Sequence, residues 1–512
     1  MAFGFFKKAE YADLIFYNGH IYTQDPELPW AEAVACKGEK ILGVGNLDGM
    51  EAVTGPETRL VDLDGRYLLP GFIDVHRSPV LRVFDGKYLD LSECSTTEEV
   101  LEAVAAWADE NPDDEIVFGY GYRDDLKPDD IKLDETESEP EAEADEAVCE
   151  AETEAADESE CEAESEAAAD EAVQMSSADL LSEVCDDRPV LLLCANGIEC
   201  WTNDMADEII VNTAEEEYVQ TITTSYALNL LIPFDFEEIE EAVRQEIEAL
   251  SDSGFTSVLS LGMPDYLENL YQDSIIGLYN EGRIRQRFFG SYFLNRPLRI
   301  QPLMHKLMEH RTTCIEMNGL LNARTLNLYL CNETSPVAFT QSSLDKILEE
   351  VSDKSFDVFI EAINYDDLLM AYDALEHIRA RGYKNTVTIA SDYELSAADS
   401  SERPSSTEAC KTWGTNLSAD RSIYGKMTSS QEVIDQLTVE AAKILGMSET
   451  LGSIEAGKLA DFAIFDENPL DCELKLIHRL HACMTVLGGE IVYDVDAEND
   501  MELYELMMSQ QY

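Results

Sequence analysis

Apolar positions fall into short runs at both ends of this chain and into longer strand–helix alternations between them. Residues 12–23 read apolar, Asn18-Gly19, then apolar again, which predicts a strand, a tight turn and a second strand. Residues 33–45 repeat the pattern around Lys37-Gly38. From Leu68 onward, apolar runs alternate with helical periodicity, the signature of a parallel sheet covered by helices. The predicted strands are 68–76, 190–195, 257–261, 288–293, 325–330, 358–363, 387–391 and 411–416, with helices between most of them, such as 236–251 and 365–381. Eight strands suit a (β/α)8 TIM barrel. Residues 437–447 form an amphipathic pattern closed by Gly446; then come a strand before Asp466 and a hairpin around Gly488-Gly489.

This pattern divides the chain. Residues 1–67 and 451–500 each hold too few strands to bury a face alone, so they are expected to pair as one composite β-sandwich domain. Residues 68–450 form the barrel, and 501–512 a C-terminal tail. The fold class is therefore α/β, a barrel carrying a small sandwich built from both termini.

Charge changes the picture in one place. Residues 134–172 hold 19 acidic residues and no Lys, Arg or aromatic. Such a stretch buries too little apolar area to offset chain entropy, so it is expected to be a disordered insertion within the barrel domain. It serves as a solubilising loop or, on a sharper reading, docks a basic partner. The whole chain carries a net charge of −70, which sets nucleic acid and anionic membrane surfaces aside as partners. No run approaches the roughly 20 apolar residues of a membrane span. Twelve scattered cysteines without a C-x-x-C pair read as reduced thiols of a cytoplasmic protein. A homo-oligomer is left open.

The candidate chemistry starts at His76, the polar tip of Pro70-Gly71-Phe72-Ile73-Asp74-Val75-His76. A barrel strand delivers such a side chain to the C-terminal face, where these folds keep their sites. Asp74 and Arg77 flank it as a salt-bridged strand end. His20, His305, His310, His377, His478 and His481 read as structural or surface residues.

The run at 70–76 resembles the first-strand motif of the amidohydrolase superfamily, Pro-Gly-Phe-Ile-Asp-x-His-x-His, and Gly-Ser-Ile-Glu-Ala-Gly-Lys-Leu-Ala-Asp at 452–461 is similar to a second mark of that family. The closest likeness is to its amidohydrolase-3 branch, which contains hydrolases of N-substituted amides and formamides. The resemblance implies a metal-dependent hydrolase of non-peptide C–N bonds. Its positions can be carried over one at a time. The second metal histidine of the first strand falls on Ser78. The histidine of a Gly-His pair falls on Ile198, a pocket position. The lysine near the metals falls on Asn327. The histidine of Val-His-Ala-Ile-Gly-Asp falls on Glu361, and that of Ile-Glu-His on Ser391. The catalytic aspartate of Gly-Ser-Asp falls on Asn416; Ser391-Asp392 is the competing match, which leaves the barrel one strand short.

Among these, His76 and Glu361 are the side chains able to ligate a divalent metal. Ser78, Asn327, Ser391 and Asn416 are neutral, and asparagine is no general base. Three functions follow as expectations. The first is a pseudoenzyme with no cofactor that keeps a small-molecule ligand or partner. The second is a hydrolase with one divalent metal such as Zn on His76 and Glu361, with Asp392 beside them. The third is a structural subunit pairing with an active homologue.

Overall fold

The computed structural model describes residues 11–77, 84, 87–123, 126–128, 176–195, 199–213, 224–232, 236–262, 268–295, 297, 300–315, 320–330, 339–391, 393, 395–396, 399, 401 and 427–497. Ser78, Ile198, Asp392, Asn416, the acidic stretch 134–172, the predicted strand 411–416 and the tail 501–512 lie outside them.

The chain opens with five strands: β1 (Leu14–Tyr22), β2 (Trp30–Lys37), β3 (Lys40–Gly45), β4 (Arg59–Asp62) and β5 (Tyr67–Pro70). The expected hairpin at Asn18-Gly19 is absent; β1 runs straight through it. Asn18 takes a left-handed φ of 59° and makes a bulge, across which β1 changes parallel partner from β4 to β5. A Cβ on Gly19 would lie 2.6 Å from that of Leu63, so glycine is required there. The predicted turn at Gly38 does form, joining β2 to β3 with φ +54° at the glycine.

One residue separates β5 from β6 (Phe72–Arg77). The predicted strand 68–76 is thus two strands in two different sheets. Gly71 is the crossing point: its N–H donates to the Asp461 carbonyl, and a side chain there would run into Thr256.

Residues 85–232 form a compact unit of their own. Its sheet has four strands, β7 (Leu89–Asp90), β8 (Val117–Tyr122), β9 (Val190–Cys194) and β10 (Cys200–Thr202), in the order β10-β9-β8-β7. The strand expected at 190–195 therefore exists but pairs with β8 and β10, not with the barrel-type strands. Its fully buried Val-Leu-Leu-Leu-Cys run looks the same from sequence whichever sheet holds it.

The other unit comprises residues 1–84 and 233–512. Besides β6 it contains β11 (Phe255–Ser260), β12 (Arg287–Leu294), β13 (Leu321–Leu330), β14 (Asp357–Ala362) and β15 (Val387–Ala390). These six strands are all parallel and lie side by side in the order β15-β14-β13-β12-β11-β6. Helices such as Gln341–Asp353 and Tyr365–Ala380 pack on them through an apolar cluster including Leu344, Leu348, Ile360 and Leu375. This is a mixed α/β fold whose parallel sheet fits part of a TIM-like barrel.

The chain closes with β16 (Phe462–Phe465), β17 (Met484–Leu487) and β18 (Glu490–Asp494). They join β1–β5 in one eight-stranded sheet, with β16 paired antiparallel to β5. The two ends of the chain thus share a sheet and a core of Phe16, Val34, Leu68, Phe462 and Val486. Gly488 and Gly489, both at positive φ, form the two-residue turn between β17 and β18.

Candidate functional site

The site lies at the C-terminal ends of three parallel strands. His76 is the fifth residue of β6, Asn327 the seventh of β13 and Glu361 the fifth of β14. Paired positions in a parallel sheet face the same way, and Asn327 stands opposite Phe359, two residues before Glu361 and so on its face. The sequence placed His76, Asn327 and Glu361 on separate motifs; the fold brings them into contact. The Nε2 of His76 lies 3.2 Å from Oε2 of Glu361, and Nδ2 of Asn327 donates to Oε1 of Glu361 at 2.8 Å. Asn327 also donates to the carbonyl of Leu261 at 3.0 Å. The His76 ring tilts against Phe359 at a centroid distance of 5.8 Å. Glu361 is 15% exposed and His76 28%, so the cluster is shielded yet reachable.

Ser391 sits one residue beyond Ala390, the β15 partner of Glu361. Its hydroxyl accepts from the Tyr393 N–H at 3.2 Å.

Behind His76 lies a buried charged group. The Asp74 carboxylate accepts the His76 backbone N–H at 3.0 Å and lies 3.7 Å from the Arg77 guanidinium. Arg77 donates through Nε to Glu246 at 2.5 Å. Burial opposes the Arg77 charge, but the Glu246 and Asp74 carboxylates outweigh it and hold its pKa above the ordinary value. Burial, and then the Glu246 charge, push the Tyr271 phenol up as well, so it stays neutral. The salt-bridged strand end read from sequence is present; its partner Glu246, on the helix Phe236–Asp252, carried no sequence signal.

The other described histidines serve elsewhere. His20 stacks on Tyr67, His377 meets Glu349 at 2.6 Å and His481 meets Asp252 at 2.6 Å.

As a metal centre the described donor set falls short. Catalytic zinc sites take three protein ligands. His76 and Glu361 supply two, Asn327 turns its NH2 rather than an acceptor toward Glu361, and no group of three His, Cys, Asp or Glu able to hold a metal occurs among the described residues.

The fold is similar to that of an uncharacterized metal-dependent hydrolase from Pyrococcus horikoshii, with a TM-score of 0.57 at 15% identity over 90% of this chain and 99% of that one. A second such hydrolase, from Pyrococcus furiosus, gives 0.55 at 15% identity over 90% of this chain and 100% of that one.

At the level of sequence, the amidohydrolase family profile matches residues 59–389 and 384–493, and the chain belongs to the amidohydrolase family, in its amidohydrolase-3 branch. Curated relatives match over shorter stretches. The exoenzymes regulatory protein AepA of Pectobacterium carotovorum subsp. carotovorum is 30% identical over 123 residues, 23% of this chain and 26% of that protein. The N-substituted formamide deformylase of Arthrobacter pascens is 28% identical over 130 residues, 24% of each chain. These matches cover only about a quarter of each relative's length.

Proposed function

We propose that this chain is an amidohydrolase-family protein whose strand-end site holds a small ligand and has lost the family's metal chemistry. The observation that carries the reading is the state of Glu361. One carboxylate oxygen receives the Asn327 amide, and the other faces His76 at hydrogen-bond distance. For two lone pairs not to face each other there, Nε2 must carry the proton, and a protonated nitrogen is no metal ligand. Protein groups thus already occupy one position on each carboxylate oxygen.

A second reading has its own support. Two ligands of one tetrahedral zinc at about 2.0–2.2 Å stand roughly 3.3–3.6 Å apart, close to the His76–Glu361 separation. On that reading a third donor such as Asp392 completes a one-metal hydrolase of C–N bonds.

Elemental analysis of gently purified protein separates the two. The expected result is far less than stoichiometric transition metal and no metal-dependent amidase activity. Stoichiometric zinc released by His76→Ala would establish the second reading. Restoring Ser78→His, Glu361→His, Ser391→His and Asn416→Asp together should raise zinc uptake.

The same proposal takes the six parallel strands as part of an eight-stranded barrel, the terminal sheet as the family's β-sandwich, and the cytoplasm as the place of action. No described helix is long and apolar enough to cross a membrane.

A further inference from the structure

We propose that the Glu361 site takes a small organic cation carrying N–H donors, a primary ammonium or a guanidinium, in preference to a neutral amide or an anion. The inference rests on the metal-free reading above and specifies its ligand.

Asn327 supplies the first argument. Its Nδ2 points at two groups that only accept, the Leu261 carbonyl and the Glu361 carboxylate. Rotating the amide by half a turn would set oxygen against oxygen twice, so its orientation is fixed by its neighbours. That leaves Oδ1 fully buried with no hydrogen-bond partner among the described residues. A buried amide oxygen in that state is unfavourable until a donor arrives. That oxygen belongs to the same amide whose Nδ2 is bonded to Glu361, so a donor that reaches it lies within one side chain's length of that carboxylate.

The charges supply the second argument. Asp74, Glu246 and Glu361 are three carboxylates grouped around His76 and Arg77. Even with His76 protonated the group keeps a net negative charge, and the whole chain carries −70. Such a field concentrates small cations and repels anions.

Donor supply is the third. Each carboxylate oxygen accepts two hydrogen bonds, so Glu361 keeps capacity on both oxygens after Asn327 and His76 are counted. A ligand with two N–H groups can span Glu361 and Asn327 Oδ1. A neutral amide brings the same donors plus a carbonyl oxygen, and the donors that would receive it, Asn327 Nδ2 and the His76 ring, are already directed at Glu361.

The experiment is calorimetric titration of the full chain after chelator treatment, at fixed ionic strength, with butylammonium, guanidinium, tetramethylammonium, butyramide and butyrate. Butylammonium or guanidinium should bind. Tetramethylammonium, a cation without N–H, should bind at least about tenfold more weakly, since a hydrogen bond to a charged group carries that much affinity or more. Butyramide and butyrate should give no saturable heat. Glu361→Gln, which keeps shape and removes charge, should weaken butylammonium by at least about tenfold. The ligand panel on the native chain decides the matter should that variant fold poorly. Equal binding of all three cations, or tighter binding of butyramide, overturns the proposal. Metal content is read on the same sample before chelation. Stoichiometric zinc overturns the metal-free reading and this one with it; a metal-free sample that ignores both N–H cations overturns the cation assignment alone.

Discussion

Two charged clusters stand at opposite ends of the strands of one parallel sheet, and they are finished to different degrees. At the N-terminal end of β12, Arg287 grips Asp461 with two hydrogen bonds of 2.8 and 3.1 Å, and the Gly488 N–H donates to the same carboxylate at 2.7 Å. Both side chains are almost fully buried, and neither has an orphaned atom among the described residues. At the C-terminal end, Glu361 is likewise held by two protein groups, but the amide that holds it keeps a buried, unpartnered oxygen and the carboxylate stays partly exposed. A saturated pair ties elements together; an unsaturated one waits for a donor. The contrast follows the usual division in such folds between a stabilising bottom and a working top.

Breaking the Arg287 cluster should have the largest effect. Arg287→Ala strands the Asp461 charge in the interior and should cost about 3–5 kcal/mol in urea unfolding. A loss below about 1 kcal/mol would show that the pair does not anchor the terminal sheet to β12. Asn327→Leu comes next. It frees the Leu261 carbonyl and one Glu361 oxygen, a cost of about 1–3 kcal/mol, but it also removes the orphaned oxygen, so the low end is expected. Glu361→Gln should shift stability by about 1 kcal/mol or less, because the group is partly solvated. A loss as large as that of Arg287→Ala would erase the distinction between the two ends.

The smallest effect expected concerns pH. Glu455, in the turn before β16, has its pKa held below the ordinary 4.5 by the Ser453 hydroxyl and then by Lys458. A depressed carboxyl stabilises the fold above pH 4.5, and the contribution disappears as pH falls through the lower folded value. Glu455→Gln should therefore lower stability slightly at neutral pH, leave it nearly unchanged in acid where the native contribution is already lost, and so flatten the acid limb of the profile. An unaltered acid limb would contradict the assigned shift.

The sequence carried more of the framework than of its wiring. The alternation after Leu68 located five of the six parallel strands within a few residues, because buried strands are continuous apolar runs. It merged β5 with β6, since a single glycine between two apolar runs looks like one strand. It missed β8, whose Gly119 and Gly121 weaken a strand pattern, and so set β9 beside the wrong neighbours. Asn18-Gly19 was read as a turn because a bulge and a hairpin ask for the same left-handed residue. The site itself was half legible. Family likeness pointed to His76, Asn327 and Glu361, yet the direction of the Asn327 amide and the partnership of Arg77 with Glu246 are properties of three-dimensional contact. Asp461 closes the family run at 452–461, but nothing local ties it to Arg287, 174 positions away.

The sheet shared by the two ends of the chain also sets a timetable. Strand β5 gains its partner β16 only after roughly 400 further residues have been made, the separation of Arg66 from Asp466 across the same junction. At synthesis rates of about 5–20 residues per second that interval lasts roughly 20–80 s. Throughout it the nascent chain carries β5 with its outer side unpaired, an invitation to edge-to-edge association with other chains. Strand β5 is made early relative to its partner and completed late, and on the ribosome its protection during that interval must come from elsewhere.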